Sequence, residues 1–252
     1  MWNVEFHKEM NPFKILIYHE AREAKNCKKK ELQALPEKRR QSSTTLTTEE
    51  YQKIITLWDE NTPESLQKKL FVIVQWNLRG EGVKQLTVCY SSLEGNAEMT
   101  TLTGRIEYNP VFTKTTQGGS QKCADSKWLI KNAENPANCP IRLFEKLIGK
   151  RHNGIKTERI FLTVNPTWNK PNSVGWYKNI PVGKNEMAKW MTQSAKRAGL
   201  DVENRKITNH SSRATAVSSL SKAGVNGQQL LKITWHAHAN SIKPYLQMDE
   251  QH

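Results

Sequence analysis

Residues 207–220 read ITNHSSRATAVSSL, and how this stretch folds decides how the rest of the chain is read. Thr208 and Asn209 are good N-cap residues, and Ala214, Ala216, Val217 and Leu220 form an apolar stripe behind them. A helix is therefore predicted over 209–223. A separation of three places His210 and Arg213 on one face of it. Near a helix N-terminus that face carries unbonded backbone N–H groups and the positive end of the dipole. These are the ingredients of a phosphate site. The same residues equally describe a capped helix with a surface arginine and a hydrogen-bonded histidine, and the stretch alone leaves both readings open.

Outward from there, helical patterns dominate. Thr47 and Glu50 form a capping box that starts a helix through Tyr51, Ile54, Ile55 and Trp58. A second helix follows Thr62-Pro63 and runs through Leu66, Leu70, Phe71, Ile73 and Val74 to about Leu78. It is apolar enough to require burial. Residues 83–90 and 99–115 change character, with Val88, Tyr90, Ile106, Tyr108 and Val111 among threonines, and read as short antiparallel strands. TQGGSQK (116–122) reads as a hairpin tip or mobile loop. Helices return at about 140–150, 184–198, 226–234 and 239–247, while the stretch from Asn165 to Asn185 is loop-rich. The expected fold class is α+β, mainly helical, with a small antiparallel sheet inserted after the second helix. Residues 1–44 read as a helical remnant and a basic linker, and 45–252 as the main domain.

Composition narrows the partner. No run approaches the roughly 20 apolar residues of a membrane-spanning helix, and the N-terminus, with Glu5, Lys8 and Glu9, is no secretory signal. Cys27, Cys89, Cys123 and Cys139 show neither a C-x-x-C pair nor metal-ligand spacing. Neither a zinc site nor a disulfide framework is expected, and reduced thiols in an intracellular protein are. The formal charge of +14 is unevenly spread. Residues 41–104 hold five Lys/Arg against eight Asp/Glu, whereas 105–183 hold thirteen against five. Excess positive charge confined to segments points to a polyanion, above all nucleic acid. A basic structural protein without such a partner is the bland alternative.

Four further positions join the opening pair. Arg79 directly follows the second helix, where it either caps carbonyls or faces a ligand. Lys114 precedes the Gly118-Gly119 tip, a place where lysines are usually solvated. Late in the chain, TWHAHANSIKPYLQ (234–247) supplies His236 and Tyr245, each equally readable as a core-edge residue.

In this order, arginine, strand lysine, His-x-x-Arg, histidine and tyrosine, the chain resembles the catalytic domain of the tyrosine recombinases. The match is closest to Crypton-type eukaryotic recombinases and their domesticated relatives. FTKTTQGG, NCPIRLFEKLIGKR, WYKNIPVGKNEMAKWM and AKRAGL add to the resemblance, which covers about 45–247. It implies strand breakage and rejoining of double-stranded DNA through a 3′-phosphotyrosine at Tyr245, without metal, ATP or another cofactor. Arg79 and Arg213 would clamp the non-bridging oxygens, because guanidinium forks suit phosphate geometry. His210 would assist deprotonation of Tyr245, Lys114 would protonate the leaving 5′ oxygen, and His236 would hydrogen-bond a phosphate oxygen. Nuclear location and self-association on DNA are implied too. Lys28-Lys29-Lys30 and Lys38-Arg39-Arg40 are short basic runs compatible with the former.

The chain departs from the family pattern in places. Trp235 is bulky where relatives place a small residue and is itself a rival for the pocket. Ser212 stands where an apolar residue is common. Lys122 competes with Lys114, and residues 1–44 retain only a remnant of the amino-terminal clamping region. These departures keep a second expectation alive: a domesticated, inactive DNA-binding or chromatin-associated module on the same fold. A type IB topoisomerase is a variant of the first.

Overall fold

The computed structural model describes residues 16–35, 42–78, 105–108, 127–234, 236 and 239–243. By packing, the chain divides into two units, Met1–Ser42 and Ser43–His252. In the first, a 3-10 turn (Leu16–Tyr18) leads into α1 (His19–Ala34), a helix with no buried residue. Lys28 and Glu31, one turn apart on its exposed surface, form an ion pair at 2.8 Å.

The second unit opens on the predicted capping box. The Glu50 N–H donates to Thr47 Oγ1 (3.2 Å) and the Thr47 N–H to Glu50 Oε2 (3.0 Å), starting α2 (Thr48–Thr56). Thr62 caps α3 (Pro63–Asn77) through its hydroxyl, with Pro63 in the first turn where its missing N–H costs nothing. Eleven of the fifteen α3 residues are buried, which makes it the axis around which the unit packs. Several of its polar residues are matched, whereas the buried Gln75 Oε1 has no hydrogen-bond partner among the described residues. Gln67 Nε2 donates to the Leu162 carbonyl (2.9 Å) and its Oε1 accepts the Leu162 N–H (2.7 Å), as a neighbouring strand would. Lys68 and Lys69 bury their stems and extend to Glu64 (2.7 Å) and Glu60 (3.2 Å).

Strands β1 (Arg105–Tyr108) and β2 (Lys127–Ile130) pair antiparallel, Arg105 opposite Ile130. They follow the second helix of the unit, as expected. The strand predicted over 83–90 and the 116–122 tip lie outside the described residues. After a 3-10 turn (Pro136–Asn138), α4 (Pro140–Gly149) packs on α3. A second ribbon pairs β3 (Leu162–Val164) with β4 (Tyr177–Pro181); β4 falls in the stretch expected to be loop-rich and β3 directly precedes it. These strands escape periodicity because one is three residues long and the other exposes four of its five residues. The β4 residue Tyr177 is buried and donates its hydroxyl to the Pro63 carbonyl (3.0 Å).

Three further helices follow among the described residues: α5 (Lys184–Arg197), α6 (Ser211–Lys222) and α7 (Gly227–Thr234). The core runs through α2, α3, α4 and α5, with Phe71, Phe161 and Trp190 meeting edge to face at centroid distances of 5.1–5.7 Å. Ala214, Ala216 and Val217 let α6 sit against α3, and α7 packs on α6 through Val217 and Leu230. A 3-10 turn (Ala239–Ser241) stands where a helix from 239 was expected, and residues from 244 lie outside the described ones. A proline at 244 disfavours an unbroken helix from 239 across it, because its ring removes an N–H and crowds the preceding turn.

Candidate active site

The predicted phosphate helix forms, and its start is held from outside itself. Three contacts from residues 43–46 reach it: Ser43 Oγ to Thr208 Oγ1 (2.8 Å), the Thr44 N–H to the Lys206 carbonyl (3.0 Å), and the Leu46 N–H to Thr215 Oγ1 (2.8 Å). Arg205 adds an ion pair to Glu50 and a bond to the Thr45 carbonyl (2.9 Å). The guanidinium beside Glu50 holds that carboxyl below its ordinary value. This strap bridges more than 150 residues of sequence and orients the first turn of α6.

The cap itself differs from the expectation. His210, not Thr208 or Asn209, occupies the N-cap position, and its carbonyl accepts the Ala214 N–H at 2.9 Å. Thr208 acts a turn earlier: its Oγ1 accepts the His210 N–H (3.2 Å), while Ser211 Oγ accepts the Thr208 N–H (3.0 Å). Asn209 is buried and donates from Nδ2 to the Met187 carbonyl of α5 (3.2 Å). Its side chain therefore ties two helices together instead of capping one. The shift exposes His210 and leaves Arg213 half-buried at the third helical position.

Arg213 and His236 meet. The Arg213 Nε–H donates to His236 Nε2 at 3.0 Å, and Nη2 donates to the Thr234 carbonyl at 2.7 Å. Thr234, the last residue of α7 and fully buried, places its Oγ1 2.7 Å from His236 Nδ1. Sequence reasoning passed over Thr234. A threonine two residues before a candidate histidine is a weak signal, since threonines in last turns are common.

Three of the six expected site residues are thus described: His210 and Arg213 open α6, and His236 reaches Arg213 from beyond α7. In the structure His236 Nε2 accepts from the Arg213 Nε–H. Arg79, Lys114 and Tyr245 lie outside the described residues, as does the rival Lys122. Arg79 falls one residue past Leu78, which is buried at the end of α3 and donates its N–H to the Val74 carbonyl (2.8 Å). Two other tyrosines are excluded as nucleophiles by their surroundings. Tyr51 gives its hydroxyl to the Val72 carbonyl (2.9 Å), and burial pushes the Tyr177 phenol far above its ordinary value.

A cleft of about 370 Å³ lies elsewhere, between α3, the β3–β4 ribbon and α5, lined by Gln67, Lys68, Thr163, Gly183 and Glu186 among others. None of the three described site residues, His210, Arg213 and His236, lines it.

Comparison with known proteins places this geometry. A family model described as "Domain of unknown function (DUF3504)" matches residues 43–196. No curated protein matches. Among solved structures, the chain is similar to that described as "Crystal structure of XerA recombinase", at 14% identity and a TM-score of 0.51. The match covers 83% of this chain and 62% of that one. It is similar also to "Crystal structure of XerH site-specific recombinase bound to palindromic difH substrate: post-cleavage complex", at 15% identity and a TM-score of 0.53, covering 84% and 51%. The chain thus spans less than two thirds of either protein. At such identities the likeness shows the fold, which is that of the tyrosine recombinases.

Proposed function

We propose, for a chain that belongs to the DUF3504 family and carries the tyrosine recombinase fold, that it breaks and rejoins duplex DNA through a covalent link on Tyr245. The observation that carries the reading is Arg213: a guanidinium at the third residue of a helix, held in place by two bonds. A fixed guanidinium beside the positive end of a helix suits a scissile phosphate. The XerH structure holds a recombinase on its DNA substrate after cleavage, and the net +8 of residues 105–183 agrees with a polyanionic partner.

In the proposed reaction Tyr245 attacks phosphorus and its phenolic proton passes to His210. The bond to the 5′ oxygen breaks, and that oxygen takes a proton from Lys114. A tyrosine of ordinary pKa, about 10, is a poor nucleophile near neutrality, so the surrounding cations and His210 must favour the phenolate. Arg79 and Arg213 stabilise the pentacoordinate phosphorus. His236 acts through Arg213, whose Nε it accepts from. Rejoining is the reverse, with a 5′-hydroxyl attacking the phosphotyrosine, and the retained bond energy removes any need for ATP. We assign the chain to the Crypton-type recombinases, acting in the nucleus and self-associating on DNA.

A duplex nicked next to the cleavage point tests this. Wild-type protein is expected to form a detergent-resistant protein–DNA adduct, and Tyr245→Phe none. The absence of an adduct from wild type on a verified target site overturns the proposal. A second reading, an inactive DNA-binding module, is favoured by the engagement of His236 Nε2 with Arg213. It predicts no cleavage by either protein and duplex binding equal in wild type and Tyr245→Phe, falling steeply with salt.

A further inference from the structure

We infer that Thr234 is a positioning residue: it sets the tautomer of His236 and, through it and its own carbonyl, the place of the Arg213 guanidinium. The importance of that placement for DNA cleavage rests on the function proposed above, but the placement itself does not.

The hydroxyl of Thr234 has one proton. Its Oγ1 lies 2.5 Å from the Leu230 carbonyl, which can only accept, so the proton goes there. Toward His236 Nδ1, 2.7 Å away, Oγ1 is left with a lone pair. The ring must therefore carry its proton on Nδ1 and donate it to Thr234. A neutral imidazole protonated at Nδ1 presents a lone pair at Nε2. A second line leads to the same tautomer. Arginine is never deprotonated in a protein, so the Arg213 Nε 3.0 Å from His236 Nε2 is always the donor, and Nε2 must accept.

The chain of bonds thus runs in one direction, Arg213 to His236 to Thr234 to Leu230, each group donating to the next. Its end is anchored inside α7, where the Thr234 side chain bonds back to the carbonyl four residues earlier. The Thr234 carbonyl receives a second guanidinium bond from Arg213 Nη2 at 2.7 Å. One residue therefore fixes Arg213 at two points, once directly and once through the histidine. Two of the five guanidinium N–H groups are used in this way. The planar fork then has no freedom to rotate about its terminal bonds, so its position is set before any phosphate arrives. Because Thr234 is fully buried at the close of α7, it cannot itself touch DNA, and its effect is transmitted.

The test reads the lock directly. In ¹⁵N NMR of the full chain with labelled histidine and arginine, wild-type His236 is expected to be protonated at Nδ1 with Nε2 unprotonated. Arg213 Nε–H is expected to exchange slowly. Finding the Nε2–H tautomer in wild type overturns the inference without any variant. Thr234→Val keeps the shape but not the hydroxyl: the His236 Nδ1–H loses its acceptor, so the tautomer preference should weaken to what Arg213 alone imposes and the Arg213 Nε–H should exchange faster. Thr234→Ser should restore both. Unchanged spectra in a folded Thr234→Val protein overturn the inference as well.

In single-turnover cleavage, Thr234→Val should slow adduct formation by about 10–100-fold at unchanged duplex affinity, with Thr234→Ser near wild type. An unchanged rate means that the lock does not position the arginine for chemistry and also overturns the inference. If wild type itself yields no adduct, the proposed reaction fails, while the NMR result still decides the role of Thr234.

Discussion

Arg213 concentrates the chemistry proposed for this chain, and its value lies in where its donors point. Lysine keeps the charge but has neither the Nε–H that meets His236 nor the planar fork that reaches the Thr234 carbonyl at the same time. Arg213→Lys is therefore expected to leave duplex affinity nearly intact while lowering single-turnover adduct formation by about 10²–10³-fold. Parallel loss of affinity and rate would instead make the arginine a simple charge contact. The candidate residues were legible in the sequence because their types suit phosphate chemistry. The bond between Arg213 and His236 was not, since it joins residues 23 apart and depends on which rotamers the packing of α6 and α7 permits.

At the scale of elements, ends and partners matter more than propensity. The capping box of α2 satisfies two N–H groups that would otherwise lack helical partners. Thr47→Ala should lower the unfolding free energy by about 1 kcal/mol, measured by urea denaturation. Gln67 plays a similar part inside the core. Gln67→Leu would leave both backbone groups of Leu162 unpaired, at about 1–3 kcal/mol for each group, and is expected to be the more damaging change in the same assay. The contrast explains what could be foreseen. A capping box is written in four consecutive residues, so α2 was predictable. The pairing of Gln67 with Leu162 and the β3–β4 ribbon depend on segments distant in sequence and too short to show a period.

Across the whole second unit, Glu60 links three segments. From the turn before α3 it receives Lys69 of α3 (3.2 Å) and both Arg142 (2.5 Å) and Lys146 (2.9 Å) of α4. The Arg142 guanidinium holds this carboxyl far below the carboxylate range, with Lys146 and Lys69 adding to the effect and partial burial opposing it. Because the folded-state pKa is depressed, the stabilisation is present above the unfolded value of about 4.3. It is lost as pH falls below that value toward the folded one. The melting temperature of wild type should therefore drop on acidification below about pH 4.5. Glu60→Gln should be less stable at neutral pH and show a flatter acid limb, so that the two proteins converge as pH falls. A gap that stays constant with pH would remove Glu60 from the acid response.

By itself the sequence determined the positions of α2 to α7, the burial of α3, the uneven positive charge and the set of residues able to meet a phosphate. Each of these is carried by composition or by spacings of three and four residues, which the chain expresses locally. Only the tertiary structure decided which of those residues touch. It seated His210 rather than Thr208 or Asn209 at the start of α6, turned His236 toward Arg213, and brought in Thr234 to hold both. The reason is physical: a hydrogen bond across 20 or more residues is specified by helix packing and by the number of protons each group can give, and neither leaves a repeating mark in the sequence.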